Sequence, residues 1–424
     1  TAAITLLCLI WWITEPIPIP VTSLLPIAGF QLLGVLDAGQ IARAVGSPVI
    51  LRLLGGFLLS RAMEHSGAHR RLALLMVTVL GAANPRRLVF GFMAASALLS
   101  MWISNTATVL MLLPVALAVL GAADSRELAV PLLLGIAYAA SIGGIGTPIG
   151  TPPNLVFMEV YSRETGDSVG FIRWMSWALP VVLILVPIAG LWLTRNVPTT
   201  GNITLPPLGH WLPKQKRVLG VFLLTALAWM TRQEPFGGWS VWLDLPHAND
   251  ASVALLAVVL TCLLPDGEGG RLLDWKAAAD IPWGVLLLFG GGIVIAAAFG
   301  ASGLSAILAD SISAMSALPV ALLVALIALS VSFLTETTSN TASTTLLMPV
   351  LAAAALGAGH DPLLFMVPAA MSASCAFMLP VATAPNSIVY GSGRVRIGTM
   401  IREGLVLNLI GAMIITLVCL WRLA

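Results

Sequence analysis

Charged side chains are scarce in this chain: Asp, Glu, Lys and Arg together make up 9% of 424 residues, and the formal net charge is only +2. No dense run of one sign is left to grip a nucleic acid, so no nucleic-acid partner is expected. Cysteine is equally sparse. Cys8, Cys262, Cys375 and Cys419 lie far apart inside apolar runs, which excludes a disulfide framework and a zinc spacing and leaves them as small packing residues. The histidines (His65, His69, His210, His247 and His360) fall in or near expected loops or interfaces, where solvated side chains are the default, as for Arg43 and Arg52. The glycine-rich run GGIGTPIGTPPN (143 to 154) is followed by no Gly-Lys-Ser/Thr, so it is not a phosphate loop. Gly143, Gly144 and Gly146 fit helix packing and helix unwinding equally.

What remains is apolar: 58% of the residues, with a mean hydropathy of +0.97. Lipid is the solvent for most of such a chain. The runs are continuous and lack the alternation of a barrel strand, so the fold class is an all-α polytopic membrane protein. At roughly 20 residues per span the chain supplies about ten crossings plus shorter re-entrant pieces. In the first half they fall near 1–13, 20–36, 48–64, 128–158 and 173–195, and in the second near 216–231, 250–265, 283–300, 362–390 and 402–422. The chain starts at Thr1 already within an apolar run, and an upstream segment is expected.

Against this background one polar tripeptide occurs twice. SNTATVLMLLPV (104 to 115) and SNTASTTLLMPV (339 to 350) agree at seven of twelve positions, 235 residues apart. LLGGF (53 to 57) pairs with LFGGG (288 to 292), Pro85 with Pro319, and PIGTPPNLV (148 to 156) with PVATAPNSI (380 to 388) at an offset of 232. Matched spacing of this kind marks a duplicated unit. The division expected is a first repeat at 1–197, a Pro-rich linker at 198–215 and a second repeat at 216–424. An odd number of crossings per copy inserts the second copy upside down. The charges agree: RAMEHSGAHRR (61 to 71) and Asn84-Pro85-Arg86-Arg87 are basic, whereas AAAFGASGLSA (296 to 306) and Leu318-Pro319-Val320-Ala321 hold no Lys or Arg. The positive-inside rule then puts the first pair, with Lys214, Lys216 and Arg217, on the cytoplasmic side.

Each Ser-Asn-Thr sits mid-way along an apolar stretch, about 88–120 and 322–357, that reads as a re-entrant hairpin with the tripeptide at its tip. The matched stretches 128–158 and 362–390 read as broken helices. Lipid tolerates such breaks only beside protein or a water-filled cavity. The atoms on offer there are hydroxyl and amide oxygens, freed carbonyls and helix N-termini, which together suit a hard cation and an anionic substrate. No Lys or Arg flanks either tripeptide, so anion binding can depend on bound cations. A cation-coupled anion carrier follows. An intramembrane hydrolase using Ser104 or Ser339 lacks a base, since no His lies in the core segments and Glu336 neighbours only one of the two serines. An anion channel needs a continuous pore, whereas paired hairpins suit alternating access. Ser100 and Thr335 taken alone read as hydroxyls bonded to their own helix; their matched places four residues before each Ser-Asn-Thr favour a site instead. Glu336 has Met101 as its counterpart and so breaks the symmetry the ion sites keep; it reads as tying down a helix end.

WWITEPIPIPVTSLLP (11 to 26), the paired SNTA motifs, GGIGTPIGTPPN and FLTETTSNTA (333 to 342) resemble the divalent anion/sodium symporter family, carriers of dicarboxylates, citrate or sulfate, over essentially the whole chain. The resemblance implies a first sodium site at Ser100, Ser104, Asn105 and the carbonyl of Gly150, and a second at Thr335, Ser339, Asn340 and the carbonyl of Ala382. It implies substrate carboxylates held by Asn105, Thr106, Asn340 and Thr341 with Thr151 and Thr383. It further implies a homodimer in the inner membrane and an elevator mechanism, in which hairpins and broken helices slide against a static scaffold. Ala384 stands where many relatives have proline, so the second substrate loop is expected to be less rigid. Relatives carry one more helix ahead of the point where this sequence starts. Threonine at both third tip positions leans toward four-carbon dicarboxylates such as succinate; a sodium-independent exchanger, or a citrate or sulfate carrier, is the alternative.

Overall fold

Backbone N–H and C=O groups find no water in lipid, so long apolar runs coil into helices that satisfy them internally. The computed structural model describes residues 1–81, 84–123, 126–198, 210–233, 237–304 and 319–423. In chain order its helices are α1 (Ala2–Thr14), α2 (Ile19–Thr22), α3 (Leu24–Leu32), α4 (Ala38–Val45), α5 (Pro48–Ser66), α6 (Ala68–Gly81), α7 (Pro85–Ser100), α8 (Asn105–Ala123), α9 (Arg126–Ile145), α10 (Pro152–Thr165) and α11 (Phe171–Leu193). There follow α12 (Pro213–Met230), α13 (Gly238–Trp242), α14 (Asp250–Leu263), α15 (Trp275–Ala279), α16 (Trp283–Ala301), α17 (Val320–Leu334), α18 (Asn340–Gly357), α19 (Leu363–Ser372), α20 (Ala384–Gly391) and α21 (Ile397–Leu423). Among the described residues there is no β-strand, only an isolated bridge between Pro265 and Arg271. Among the described residues, six stretches are long and apolar enough to cross a bilayer: Ala38–Ser66, Glu127–Ile145, Phe171–Leu193, Trp283–Ala301, Asn340–Gly357 and Ile397–Leu423.

The stretches expected as hairpins fall on two consecutive helices each, α7 and α8 in the first half and α17 and α18 in the second, and the stretches expected as broken helices fall on α9 and α10 and on α19 and α20. The crossing expected at 20–36 is instead two pieces. Ser23 sits at the joint, its hydroxyl accepting from Trp12 Nε1 at 3.2 Å and donating to the Ile19 carbonyl at 2.8 Å, which bends the chain around a polar side chain. Helices α4 and α6 were not expected. The start of α4 was legible, since Asp37 and Gln40 form a reciprocal capping box. Much of the linker, 199–209, lies outside the described residues, as do 305–306 of the uncharged stretch and Leu318.

The core gathers around α9. Its apolar stretch Glu127–Ile145 is 94% buried, so protein rather than lipid surrounds it, with α7, α8 and α11 as neighbours. Two contacts interlock the halves: α10 packs on α18 and α19, while α20 packs on α8 and α9. The second arm of each broken helix thus leans on the hairpin of the other half.

A buried ion triad makes a further link. The Asp250 carboxylate, at the start of α14, accepts from Arg52 of α5 at 2.9 Å and from Arg232 Nε at 2.7 Å, and the Asp250 carbonyl accepts from Trp229 Nε1 at 2.9 Å. Arg52 is therefore not the solvated side chain expected; only 9% of its side chain is exposed. Removing one member of such a cluster strands the rest. Asp250→Ala is expected to destabilise the protein by about 3–5 kcal/mol, measured as a lowered unfolding midpoint in detergent, with Asp250→Asn milder because it keeps an acceptor.

Candidate substrate and cation site

Both hairpins turn where the helix stops at a capping serine. Ser104 Oγ accepts the Ala107 N–H at 3.1 Å, and Ser339 Oγ accepts the Ala342 N–H at 3.5 Å. Each serine thus satisfies one of the N–H groups that open α8 and α18, leaving the positive ends of these helices at the tips. A hydroxyl oxygen has two lone pairs, so capping does not exhaust the acceptor that the sequence reading assigned to a cation.

The broken helices are held open by one residue each. Asn154 Nδ2 donates to the carbonyls of Gly144, Ile145 and Thr147 at 3.0, 3.3 and 2.7 Å. Asn386 Nδ2 donates to those of Ala376 and Leu379, both at 3.0 Å. Helix breaks orphan carbonyls, and buried carbonyls without partners are costly; of these five, Thr147 and Leu379 also accept the N–H groups of Gly150 at 3.3 Å and Ala382 at 3.2 Å. Thr151 and Thr383 hold near-identical extended conformations, φ −147° and ψ 144° against φ −143° and ψ 151°. At Thr383 the hydroxyl also accepts the Asn386 N–H at 3.2 Å, a cap that Thr151 lacks.

Tips and breaks line one cavity of about 800 Å³. All six residues expected on the substrate, Asn105, Thr106, Thr151, Asn340, Thr341 and Thr383, line it. So do six of those expected on cations, Ser104, Asn105, Gly150, Ser339, Asn340 and Ala382; Ser100 and Thr335 are fully buried and do not. Ser100 nonetheless joins the first tip, its hydroxyl donating to Asn105 Oδ1. Gly144 marks where these oxygens meet: a Cβ placed there would lie 2.8 Å from Asn105 Oδ1 and 3.2 Å from the Gly150 carbonyl oxygen. Only glycine leaves that space free. At the second tip the oxygens are less joined. Thr335 Oγ1 bonds back to the Ser332 carbonyl at 3.1 Å, the reading its position alone suggested, while Asn340 Oδ1 is buried with no hydrogen-bond partner among the described residues. An orphaned amide oxygen on the cavity that Ala382 also lines fits a hard cation, which takes oxygen ligands.

Several participants were missed. Asn154 and Asn386 stood inside the matched PIGTPPNLV and PVATAPNSI segments, at the same offset as their neighbours, and that pairing was the available signal. Arg61 was read only as part of a basic stretch, yet it lines the same cavity, held by Glu64 at 2.6 Å and Asp280 at 2.5 Å. The cavity therefore does contain a guanidinium, already neutralised by two carboxylates. Glu336 does tie down backbone as expected: its carboxylate accepts the N–H groups of Met378 and Leu379, both at 2.9 Å.

Helix breaks from both halves lining one cavity, with helices of membrane length and no strand among the described residues, are the features of a multi-pass membrane transporter. The model of the sodium:sulfate symporter transmembrane region matches residues 1–423. The sodium-dependent dicarboxylate transporter SdcS of Staphylococcus aureus strain NCTC 8325 / PS 47 is 39% identical over 442 aligned residues, covering 98% of this chain and 84% of SdcS, and SdcS of strain COL aligns equally well. The chain belongs to the divalent anion/sodium symporter family. Among solved structures, the YdaH transporter of Alcanivorax borkumensis superposes with a TM-score of 0.60 at 20% identity, covering 91% of this chain and 89% of its own. MtrF of Neisseria gonorrhoeae gives 0.63 at 14% identity, over 92% of this chain and 84% of its own. At these identities the likeness is one of fold alone.

Proposed function

We propose that this protein is a secondary active transporter that couples sodium entry to uptake of C4-dicarboxylates such as succinate across the inner membrane. The observation that carries the reading is the meeting of two Ser-Asn-Thr tips, 235 residues apart in sequence, on one cavity with two helix N-termini and no unpaired cation among its described lining. A dianion entering that cavity loses its hydration, a large cost unless charge and hydrogen bonds replace it. The N-termini of α8 and α18 and the amides and hydroxyls of Asn105, Thr106, Asn340 and Thr341, with Thr151 and Thr383, supply the hydrogen bonds. Sodium supplies the charge, in a first site at Ser100, Ser104, Asn105 and the Gly150 carbonyl and a second at Thr335, Ser339, Asn340 and the Ala382 carbonyl. Neither ligand is stable there alone, which is the origin of coupling.

The chain is read as two inverted repeats, 1–197 and 216–424, joined by a linker. Matched Thr151 and Thr383 conformations and the paired Asn154 and Asn386 braces support this. The interlock of α10 with α18 and of α20 with α8 favours hairpins and broken helices moving as one body, an elevator, against a scaffold that dimerises.

The test is uptake of radiolabelled succinate into proteoliposomes. Uptake into empty vesicles is expected only with an inward sodium gradient. Sodium-independent uptake that requires internal dicarboxylate would make the protein an exchanger, and inert vesicles would move the assignment to citrate or sulfate.

A further inference from the structure

Three acidic side chains are buried among the described residues: Asp250, Glu336 and Glu403. Two have arginine partners, Asp250 in the triad above and Glu403 with Arg195 at 2.8 Å and Arg402 at 2.9 Å. Glu336, only 3% exposed, forms no ion pair among the described residues. Its partners are neutral. Oε1 accepts from the Met378 N–H at 2.9 Å and Asn408 Nδ2 at 2.7 Å, and Oε2 accepts from the Leu379 N–H at 2.9 Å.

The surrounding groups complete a clamp on residues 377–379. Asn408 Oδ1 accepts the Phe377 N–H at 3.1 Å, and the Tyr138 hydroxyl donates to the Phe377 carbonyl at 2.7 Å. Gly404 lets α21 close in, since a Cβ there would stand 2.3 Å from that carbonyl oxygen. The first half has no such charge. Met101 stands at the matching position, and its carbonyl accepts from the Thr147 hydroxyl.

Neutral donors soften the burial of a carboxylate but leave its charge uncompensated, and an isolated buried charge is strongly disfavoured. In the chain Glu336 lies between Thr335 and Asn340, whose Oδ1 is buried with no hydrogen-bond partner among the described residues. We propose that Glu336 is a positioning residue whose countercharge is the cation bound at the second tip. That cation is held more tightly than the one at the first tip, and its arrival stiffens the 377–379 backbone from which the second break is built. The inference rests on the sodium-coupled reading above.

The test measures the thermal unfolding midpoint of the purified full chain in detergent, without substrate, titrating sodium chloride against choline chloride at constant ionic strength. Wild type is expected to rise with sodium. Glu336→Gln is expected to lose at least half of that rise, with half-saturating sodium at least about tenfold higher, because one charge contact is gone. The hydrogen bonds that the amide breaks lower the baseline in both salts alike and drop out of the difference. Asn408→Ala acts oppositely: it leaves the carboxylate one donor short, so its sodium-induced rise exceeds that of wild type. Midpoints of both variants lowered equally in both salts, with the sodium rise intact, would reduce Glu336 to a structural brace and overturn the proposal. A wild type that ignores sodium altogether would overturn the sodium reading itself.

Discussion

Uptake of succinate by Asn105→Ala and by Asn340→Ala is expected to fall at least about a hundredfold in kcat/KM. In the proposed site each amide serves twice, with its oxygen toward a cation and its nitrogen toward a substrate carboxylate. Hydrogen bonds to charged groups contribute about 1.5–3 kcal/mol each, and about 1.4 kcal/mol is tenfold, so two lost contacts give the stated range. The first tip adds a consequence through Ser100, whose hydroxyl donates to Asn105 Oδ1 and loses that acceptor in the alanine variant. The isosteric Asn105→Asp separates the two duties. Its carboxylate keeps an oxygen for sodium and repels a dianion, so sodium-induced stabilisation should survive while uptake does not. Radiolabel uptake and thermal midpoints in sodium and choline, on the same preparations, check both; uptake at wild-type KM in Asn105→Ala would remove the tip amides from the site.

Such a site was legible in the sequence because lipid makes polar residues conspicuous. In a chain with 9% charged residues, a repeated Ser-Asn-Thr inside apolar runs stands out, and both tripeptides line one cavity together with Thr151 and Thr383. What escaped notice escaped for a reason. Asn154 and Asn386 act on carbonyls seven to ten residues earlier in the chain, contacts that no helical or strand periodicity encodes. Arg52 and Asp250 are 198 residues apart, so their pairing is a property of the folded packing alone. Arg61 belonged to a run whose sign is used for topology, and that use hid its place on the cavity. Glu336 was readable as a brace from its broken symmetry, whereas its lack of an arginine partner needed coordinates.

The interlock of the two halves explains why the braces matter beyond their own hydrogen bonds. Because α10 leans on α18 and α20 on α8, the shape of one break sets the seat of the other half's hairpin tip. Damage at either break should therefore disturb both cation sites, unlike damage at a tip.

Asn154 gives the second large effect, and its sign can be worked out from chemistry alone. Three carbonyls converge on its Nδ2, and of these only Ile145 has another side-chain donor, Trp174 Nε1 at 2.9 Å. Asn154→Ala strands the Gly144 carbonyl at a cost of about 1–3 kcal/mol, while the Thr147 carbonyl keeps the Gly150 N–H at 3.3 Å. That is a sizeable share of a typical folding free energy of about 5–15 kcal/mol. Asn154→Asp is expected to be worse although it preserves shape, because it swaps the donor for an acceptor facing carbonyl oxygens, and Asn154→Gln milder because it keeps the NH₂. The order Gln, Ala, Asp of falling unfolding midpoints in detergent distinguishes a donor from a space-filling side chain. If Asp matched Asn instead, the unwound segment after Gly144 would have to be held by something other than this amide.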